Sequence, residues 1–304
     1  MRAISPGALL VCYLAAGAVL LVLGRERVYA GGLLVHLLVL GAVAAATFSR
    51  RVPEWLRAWT PLIALLFLYT ELPMLIRATG YDRFFDLTVI SWETKIFGEQ
   101  PALAWAARWP SRALSEALHA TYLSYYGIIF SVPLALWFTR RRHEFPEAVF
   151  ALMLTFVACF VCYVVFPVQG PRYLWNGAAP DGPIRGVTLA LLESRSSPGT
   201  AFPSSHVAVA TAQTILAWRY FRLRGLVLLP LSTGLALGAV YGGFHYAIDV
   251  ITGVVFGGLL ALTGLEIFVL IDRANAQANA TAPTNPRSSD DSGSSTSSSG
   301  TAST

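Results

Sequence analysis

Apolar stretches alternate with short polar or charged segments along most of the 304-residue chain. A helix needs about 20 mostly apolar residues to cross the hydrocarbon core of a bilayer, and eight stretches approach that length. They lie at residues 7–24, 30–48, 59–78, 118–138, 147–166, 204–221, 225–244 and 247–271. The pattern predicts an all-α, polytopic transmembrane helix bundle of about eight spans.

The segments between and after the spans differ in character. Residues 79–117 contain Trp92, Trp105 and Trp109 among charged side chains, a composition typical of amphipathic helices in the membrane interface. From Ala274 onward the apolar periodicity stops and small polar residues dominate, which predicts a disordered tail. We therefore divide the chain into two N-terminal transmembrane helices (1–58), a six-helix membrane domain with the candidate chemistry (59–273) and a Ser/Thr-rich tail (274–304).

The charges predict a membrane orientation rather than a nucleic-acid partner. Only 13% of the residues are charged, about half the share of a soluble domain. The net charge of +5 is the balance of 22 basic and 17 acidic side chains, and arginines cluster in three short loops, at 50–57, 140–142 and 219–224. Positively charged loops stay in the cytoplasm, so we expect these loops and both termini to be cytoplasmic. The long connections and the turn near residue 245 would then face outward.

One polar segment, Ala201-Phe-Pro-Ser-Ser-His206, opens the sixth predicted span. Ser204 is suited to cap this helix, with Ser205 and His206 in its first turn. A helix N-terminus presents unpaired amides and the positive end of a dipole, which together favour an anion such as phosphate. A histidine at this place can protonate an oxygen that leaves that phosphate.

A second segment, Gly242-Gly-Phe-His-Tyr-Ala-Ile-Asp249, opens the last predicted span. His245 and Asp249 are four residues apart and would share one face of a helix. The carboxylate would accept a hydrogen bond from one imidazole nitrogen and leave the other nitrogen free and nucleophilic. A nucleophile held by an orienting group is the arrangement of covalent catalysis.

Together the two segments resemble the type 2 phosphatidic acid phosphatase superfamily. Its second and third motifs end in Pro-Ser-x-His and His-x-x-x-Asp, which residues 203–206 and 245–249 match in the same order. The resemblance extends over about residues 80–270. Phe97-Gly-x-x-Pro101 and the segment 166–172 look more like the branch that contains the inositol phosphorylceramide synthases.

The resemblance implies a set of catalytic residues. His245 would form a phosphohistidine, His206 would act as general acid and then as general base, and Asp249 would orient His245. It implies no metal and no other cofactor. A zinc site would also need further close-spaced ligands. A lone His–Asp pair is common as a stabilising contact on helices, but that interpretation leaves the Pro-Ser-Ser-His segment unexplained.

The chain departs from the family pattern where phosphate charge is neutralised. The phosphatases carry Ser-Arg seven and six residues before the nucleophilic histidine, and this chain has Gly238 and Ala239 there. The family's first motif is reduced to Gly-Pro-Arg at residues 170–172.

Other side chains must therefore bind the phosphate. We expect Arg172, Arg195, Ser204 and Ser205 to do so, with Arg185 as a further candidate, because a guanidinium binds two phosphate oxygens at once.

Three functions remain open at this stage. Hydrolysis of a lipid phosphate or prenyl diphosphate is favoured, headgroup transfer between lipids is the second hypothesis, and a non-enzymatic membrane scaffold or transporter is the third. The expected partners are membrane lipids and a lipid phosphate or phosphodiester substrate. The expected location is the plasma membrane, with the active site on the non-cytoplasmic face.

Overall fold

The computed structural model describes residues 5–175, 177–195 and 197–281, and within them the fold is all-α. The α-helices are α1 (Pro6–Leu23), α2 (Ala30–Phe48), α3 (Glu54–Thr79), α4 (Asp86–Phe97), α5 (Pro101–Arg108), α6 (Arg112–Leu123), α7 (Tyr125–Phe138), α8 (Phe145–Val165), α9 (Pro183–Arg195), α10 (Ser205–Phe221), α11 (Leu228–Tyr241) and α12 (Ala247–Thr281). The predicted fold class is confirmed.

Seven helical stretches of the described residues are long and apolar enough to cross a membrane, which identifies an integral membrane protein. One of them, Ser205–Tyr241, contains both α10 and α11. The hydroxyls of Thr214 and Ser232 lie 2.8 Å apart, although an unbroken helix would separate these residues by about 27 Å. The chain therefore reverses at Arg222–Val227, and the sixth and seventh predicted spans form an antiparallel pair.

Two of the predicted segments differ from the structure by more than a shift of a few residues at a helix end. The span predicted at 118–138 is interrupted at Ser124, between α6 and α7. Helix α12 continues to Thr281, so residues 274–281 are helical where we predicted disorder. Alanine at every second position of this segment explains the difference, because alanine has the highest helix propensity. Residues 282–304 of the predicted tail lie outside the described residues.

Of the two N-terminal helices, α1 packs on α3 and α8, and α2 packs on α1 and α3. Inside this contact, Nδ1 of His36 in α2 lies 2.6 Å from a carboxylate oxygen of Glu71 in α3. Nε2 of His36 donates to the carbonyl of Leu14 in α1 at 2.8 Å. One buried histidine thus joins three helices and holds α3 against α1 and α2.

The three arginine loops meet at one end of the bundle. The rings of Trp59 and Phe145 pack with centroids 5.1 Å apart and join the starts of α3 and α8. Arg219 of α10 donates to Glu147 of α8 at 2.8 Å, and Arg141 donates to the carbonyl of Tyr220. The connection 166–204 joins the opposite ends of α8 and α10, and the connection 242–246 joins α11 to α12 at that same end. Arginines and candidate site therefore lie at opposite ends.

Helices α10 and α12 approach each other closely because of two glycines. A Cβ atom at Gly253 would lie 2.7 Å from the carbonyl oxygen of Ser204, and one at Gly257 would collide with the carbonyl of Ala208. Small residues four apart are typical of close helix crossings in membranes. The crossing brings the start of α12 to the start of α10, where Ser204 N donates to the carbonyl of Asp249 at 3.0 Å.

Candidate active site

The start of α10 is held by hydrogen bonds inside the protein. The Ser204 hydroxyl accepts from the amide of Val207 at 3.4 Å, as expected of a helix cap. The Tyr163 hydroxyl donates to the carbonyl of Pro203 and accepts from the amide of Ser205, both at 3.0 Å. The hydroxyl of Ser204 and the amide of Ser205 are thus engaged by the protein itself.

His206 lies between aromatic rings near the start of α10. Its ring centroid is 5.4 Å from that of Tyr122, with nearly parallel planes, and 4.3 Å from that of Tyr125. The Nδ1 atom is buried and has no hydrogen-bond partner among the described residues. The tyrosine rings restrict the orientation of the imidazole but do not form a hydrogen bond with its Nδ1 atom.

His245 lies in the turn between α11 and α12, two residues before α12 begins. It therefore does not share a helix face with Asp249, contrary to the prediction. Its Nδ1 lies 3.1 Å from the carbonyl oxygen of Ala201 and 3.5 Å from Oδ2 of Asp249. That carboxylate oxygen accepts from the amide of Tyr246 at 2.9 Å. Donation from Nδ1 to Ala201 leaves Nε2 of His245 free.

The surroundings of His245 favour the neutral imidazole. Burial lowers the pKa of His245 to about 4, and the positive charge of Arg172 acts in the same direction, against the hydrogen bond to Ala201. Near pH 7 the ring is therefore uncharged, the state in which its free nitrogen has a lone pair for attack.

The two histidines face each other across a small cavity. Their ring centroids are 5.7 Å apart, and Arg172 lines the same cavity, whose volume is about 20 Å³. The guanidinium of Arg172 lies 4.7 Å from the ring centroid of Tyr173 and donates to the carbonyl of Leu192 at 3.3 Å. About one water molecule fits in such a space, so a phosphate group enters only if the lining side chains move apart.

A larger, mostly apolar cavity of about 530 Å³ adjoins the small one. Both cavities are lined by Tyr69, Leu192, Ser197 and His206. The larger cavity is bounded by aliphatic side chains of α3, aromatic side chains of α7 and α8, and Ser205.

The other two arginines predicted to bind phosphate are not seen at the small cavity. Arg185 donates to Asp181 and does not line either cavity. The side chain of Arg195 lies outside the described residues. Of the two predicted arginines whose side chains are described, Arg172 lies beside the two histidines and Arg185 does not.

The family's Ser-Arg pair is absent for a steric reason at its first position. A Cβ atom at Gly238 would lie 2.5 Å from the carbonyl oxygen of Leu118, because α11 packs closely on α6. The next residue, Ala239, is fully buried, and its carbonyl accepts from the amides of Phe244 and His245. This stretch of α11 supports the turn that holds His245.

Two buried acids beside the site escaped the sequence analysis. Asp86 and Glu93 of α4 are 5% and 0% exposed and hydrogen-bond to backbone near the site. Their spacing of seven residues places them on one helix face, and this spacing could have indicated that both acids are buried. The tryptophans of the segment 79–117 instead indicated a helix in the membrane interface. No cluster of acidic, histidine or cysteine side chains in the described part of the chain is arranged to hold a metal ion.

The fold and the paired histidines define the class of this molecule: a polytopic membrane protein with a histidine-lined cavity at one end of its helix bundle. The sequence profile of the PAP2 superfamily matches residues 87–263, more than half of the chain. The chain therefore belongs to the PAP2 superfamily, and its membership supports a phosphatase-like function. No curated protein and no solved structure is significantly similar to it.

Proposed function

We propose that this protein hydrolyses a lipid phosphate or a prenyl diphosphate through a phosphohistidine on His245. One juxtaposition carries the proposal: His206, His245 and Arg172 border one polar cavity, and that cavity adjoins an apolar one of about 530 Å³. Binding cavities of this size are lined mainly by apolar groups with a few convergent polar ones. The polar part suits a phosphate and the apolar part suits a hydrocarbon chain.

In the first displacement, Nε2 of His245 attacks phosphorus while the bond from phosphorus to the lipid oxygen breaks. The leaving oxygen takes a proton from protonated His206. Arg172 neutralises charge on the remaining phosphate oxygens. The lipid alcohol departs and phosphohistidine remains.

In the second displacement, neutral His206 accepts a proton from water, and the water oxygen attacks phosphorus. The bond from phosphorus to His245 breaks, inorganic phosphate is released, and His206 is again protonated. The two histidines thus return to their starting states without another reactant.

Headgroup transfer is the second candidate and differs only in the acceptor. The segments 97–101 and 166–172 favour it, because they look like those of the inositol phosphorylceramide synthase branch. In that reaction a phosphodiester is the donor, and an alcohol replaces water in the second displacement. Product analysis with and without an added lipid alcohol distinguishes the two reactions.

The test uses purified full-length protein and a lipid phosphate labelled in its phosphate group. We expect labelled protein after rapid quenching at alkaline pH, and labelled inorganic phosphate on longer incubation. Labelled protein with transfer to the alcohol would replace hydrolysis by transfer. No labelled protein from lipid phosphates, diphosphates or phosphodiesters would favour the scaffold or transporter hypothesis.

The apolar cavity gives a second test, with a matched control on the same helix. Leu65→Trp fills the cavity, whereas Ile63 is 54% exposed and does not line it. We expect Leu65→Trp to lower kcat/KM for a long-chain lipid phosphate at least tenfold and to leave a short, water-soluble phosphate ester within twofold. Ile63→Trp should change neither. Equal losses on both substrates would contradict a chain-binding cavity.

We propose further that the arginine loops face the cytoplasm and the site faces the opposite side of the plasma membrane. Translocation of clustered arginines is disfavoured. Single cysteines at positions 142 and 181, in a background without the native cysteines, test this arrangement in intact cells. An impermeant reagent should label position 181 and not position 142. The reverse pattern would invert the proposed topology.

A further inference from the structure

Helix α4 carries two buried carboxylates next to the candidate site. Asp86 and Glu93 are seven residues apart and lie on the same face, while Leu87 and Ile96 are 80% and 62% exposed. Neither acid lines the cavity between the two histidines. Their carboxylates instead accept hydrogen bonds from neighbouring backbone amides and, in the case of Asp86, also from the hydroxyl of Tyr246.

Asp86 joins two segments that are far apart in sequence. Its two carboxylate oxygens accept from the amides of Gln169 and Gly170 at 3.0 and 2.9 Å. The same side chain accepts from the hydroxyl of Tyr246 at 3.0 Å. Gly170 lies two residues before Arg172, and Tyr246 directly follows His245. Asp86 therefore connects the segments that carry these two site residues.

Glu93 holds the start of α12. One carboxylate oxygen accepts from the amide of Ile248 at 3.2 Å, next to Asp249 in sequence. A carboxylate at a helix N-terminus stabilises the unpaired amides and the positive end of the dipole. The other oxygen of Glu93 is buried without a partner among the described residues.

We propose that α4 is a clamp in which Asp86 and Glu93 set the separation of Arg172, His245 and Asp249. Both acids are positioning residues, and they act through the backbone on the groups that would meet the phosphate. The proposal rests on the function proposed above for the kinetic part of its test. Its structural part is independent of turnover.

The structural test measures amide hydrogen exchange in full-length protein. Asp86→Asn leaves one acceptor oxygen in place of two, whereas the amides of Gln169 and Gly170 each need one. Amide exchange at these two residues should therefore rise at least tenfold. Glu93→Gln should raise exchange at the start of α12 and leave the segment 166–175 unchanged. Two acids of the same region provide matched controls: Asp82→Asn, at an exposed acid, and Glu99→Gln, at a partly exposed acid that pairs with Arg108 instead of with either segment. Neither control should change exchange in either segment.

The kinetic test separates the two acids. Asp86→Asn should raise KM for a lipid phosphate about tenfold, because Arg172 loses its position, and Glu93→Gln should lower kcat about tenfold with KM within twofold. Tyr246→Phe removes one of the three bonds to Asp86 and keeps the ring, so it should reproduce a smaller part of the Asp86 effect even if Asp86→Asn folds poorly.

The pH dependence of Glu93 provides a readout that simple loss of packing would not affect. Burial raises the pKa of Glu93 to about 7, and Asp249 acts in the same direction. Tyr246 also faces this carboxylate, and its hydroxyl is in turn acted on by Asp86. Glutamine resembles the protonated acid, so the ratio of wild-type to Glu93→Gln kcat should be near one at pH 6 and near ten at pH 8.

Unchanged exchange in both segments would overturn the clamp whatever the protein catalyses. The expected exchange pattern in a protein without turnover on any phosphate ester would support the clamp and refute the proposed function instead. A kcat ratio that stays constant between pH 6 and pH 8, in an active enzyme, would overturn the role of Glu93.

Discussion

The two ends of the helix bundle both carry ionisable side chains, but the exposure of these side chains differs. At the arginine end, Arg219 and Glu147 pair at 2.8 Å while 45% of the arginine side chain stays exposed. At the other end, Asp249 is fully buried and His245 is 4% exposed. The ion pair at the arginine end is thus partly exposed, whereas the ionisable side chains of the candidate site are buried.

The difference indicates what each set of charges is for. Exposed ion pairs contribute about 0–1 kcal/mol each, so ion pairs of this kind add little to the stability of the fold. Oδ1 of Asp249, Oε2 of Glu93 and Nδ1 of His206 are buried without a hydrogen-bond partner among the described residues. Such an atom typically costs about 1–3 kcal/mol on folding, and an unsatisfied buried group calls for a functional explanation.

The largest difference between the two ends should appear when one histidine is removed from each end. His245→Ala should reduce turnover and phosphohistidine formation below detection, because the proposed covalent intermediate forms on the imidazole that this substitution removes. His143, at the arginine end, has a side chain that is 76% exposed. His143→Ala should leave both measurements within twofold. Residual labelling of His245→Ala protein would assign the nucleophile to another residue.

The next largest effect should come from His206→Ala. General acid catalysis contributes about a hundredfold to ten-thousandfold, and the contribution is greatest when the leaving group is poorly acidic. We expect a loss in this range on an alkyl phosphate and a much smaller loss on an aryl phosphate or a diphosphate. The measurement is kcat/KM across leaving groups of graded acidity. Equal losses across the series, in folded protein, would refute His206 as the general acid.

Features that depend on short stretches of sequence could be predicted, whereas contacts between distant segments could not. Spans, arginine loops and the two histidine segments depend on composition and spacing within short windows, and the fold class and superfamily were predicted from them. The contact between Asp86 and Gly170 joins residues 84 positions apart. No local pattern encodes such a contact, so its contribution to the site became visible only in three dimensions.

The geometry of His245 shows a second limit of sequence reasoning. The spacing of four residues to Asp249 suggested one helix, but Gly243 adopts φ +71°, and the turn ends only after His245. A positive φ is readily adopted by glycine. The nearer partner of the imidazole is consequently a backbone carbonyl, that of Ala201, which a search for side-chain motifs does not consider.

A smaller effect should follow from crowding the helix that supports the His245 turn. Gly238→Ala places a Cβ atom 2.5 Å from the carbonyl oxygen of Leu118, and overpacking of this kind costs about 1–3 kcal/mol. Gly127 in α7 has no atom within 4 Å of an added Cβ, so Gly127→Ala serves as the control and should be neutral or slightly stabilising. Thermal unfolding in detergent measures both. Equal unfolding temperatures for the two variants would show that α6 and α11 can separate without loss.

The smallest effect should come from the exposed pair at the arginine end. Arg219→Gln removes the ion pair with Glu147, in which the arginine side chain is 45% exposed. Because the arginine side chain is partly exposed while that of Glu147 is 12% exposed, we expect a loss of about 1 kcal/mol in stability, the upper end of the range for a surface pair, and activity within twofold of wild type. Unfolding at low and high salt is the measurement, since screening weakens an exposed pair and should shrink the difference further. A loss comparable to that of Gly238→Ala, unchanged by salt, would mean that this pair is effectively buried and that the two ends are less different than their exposures indicate.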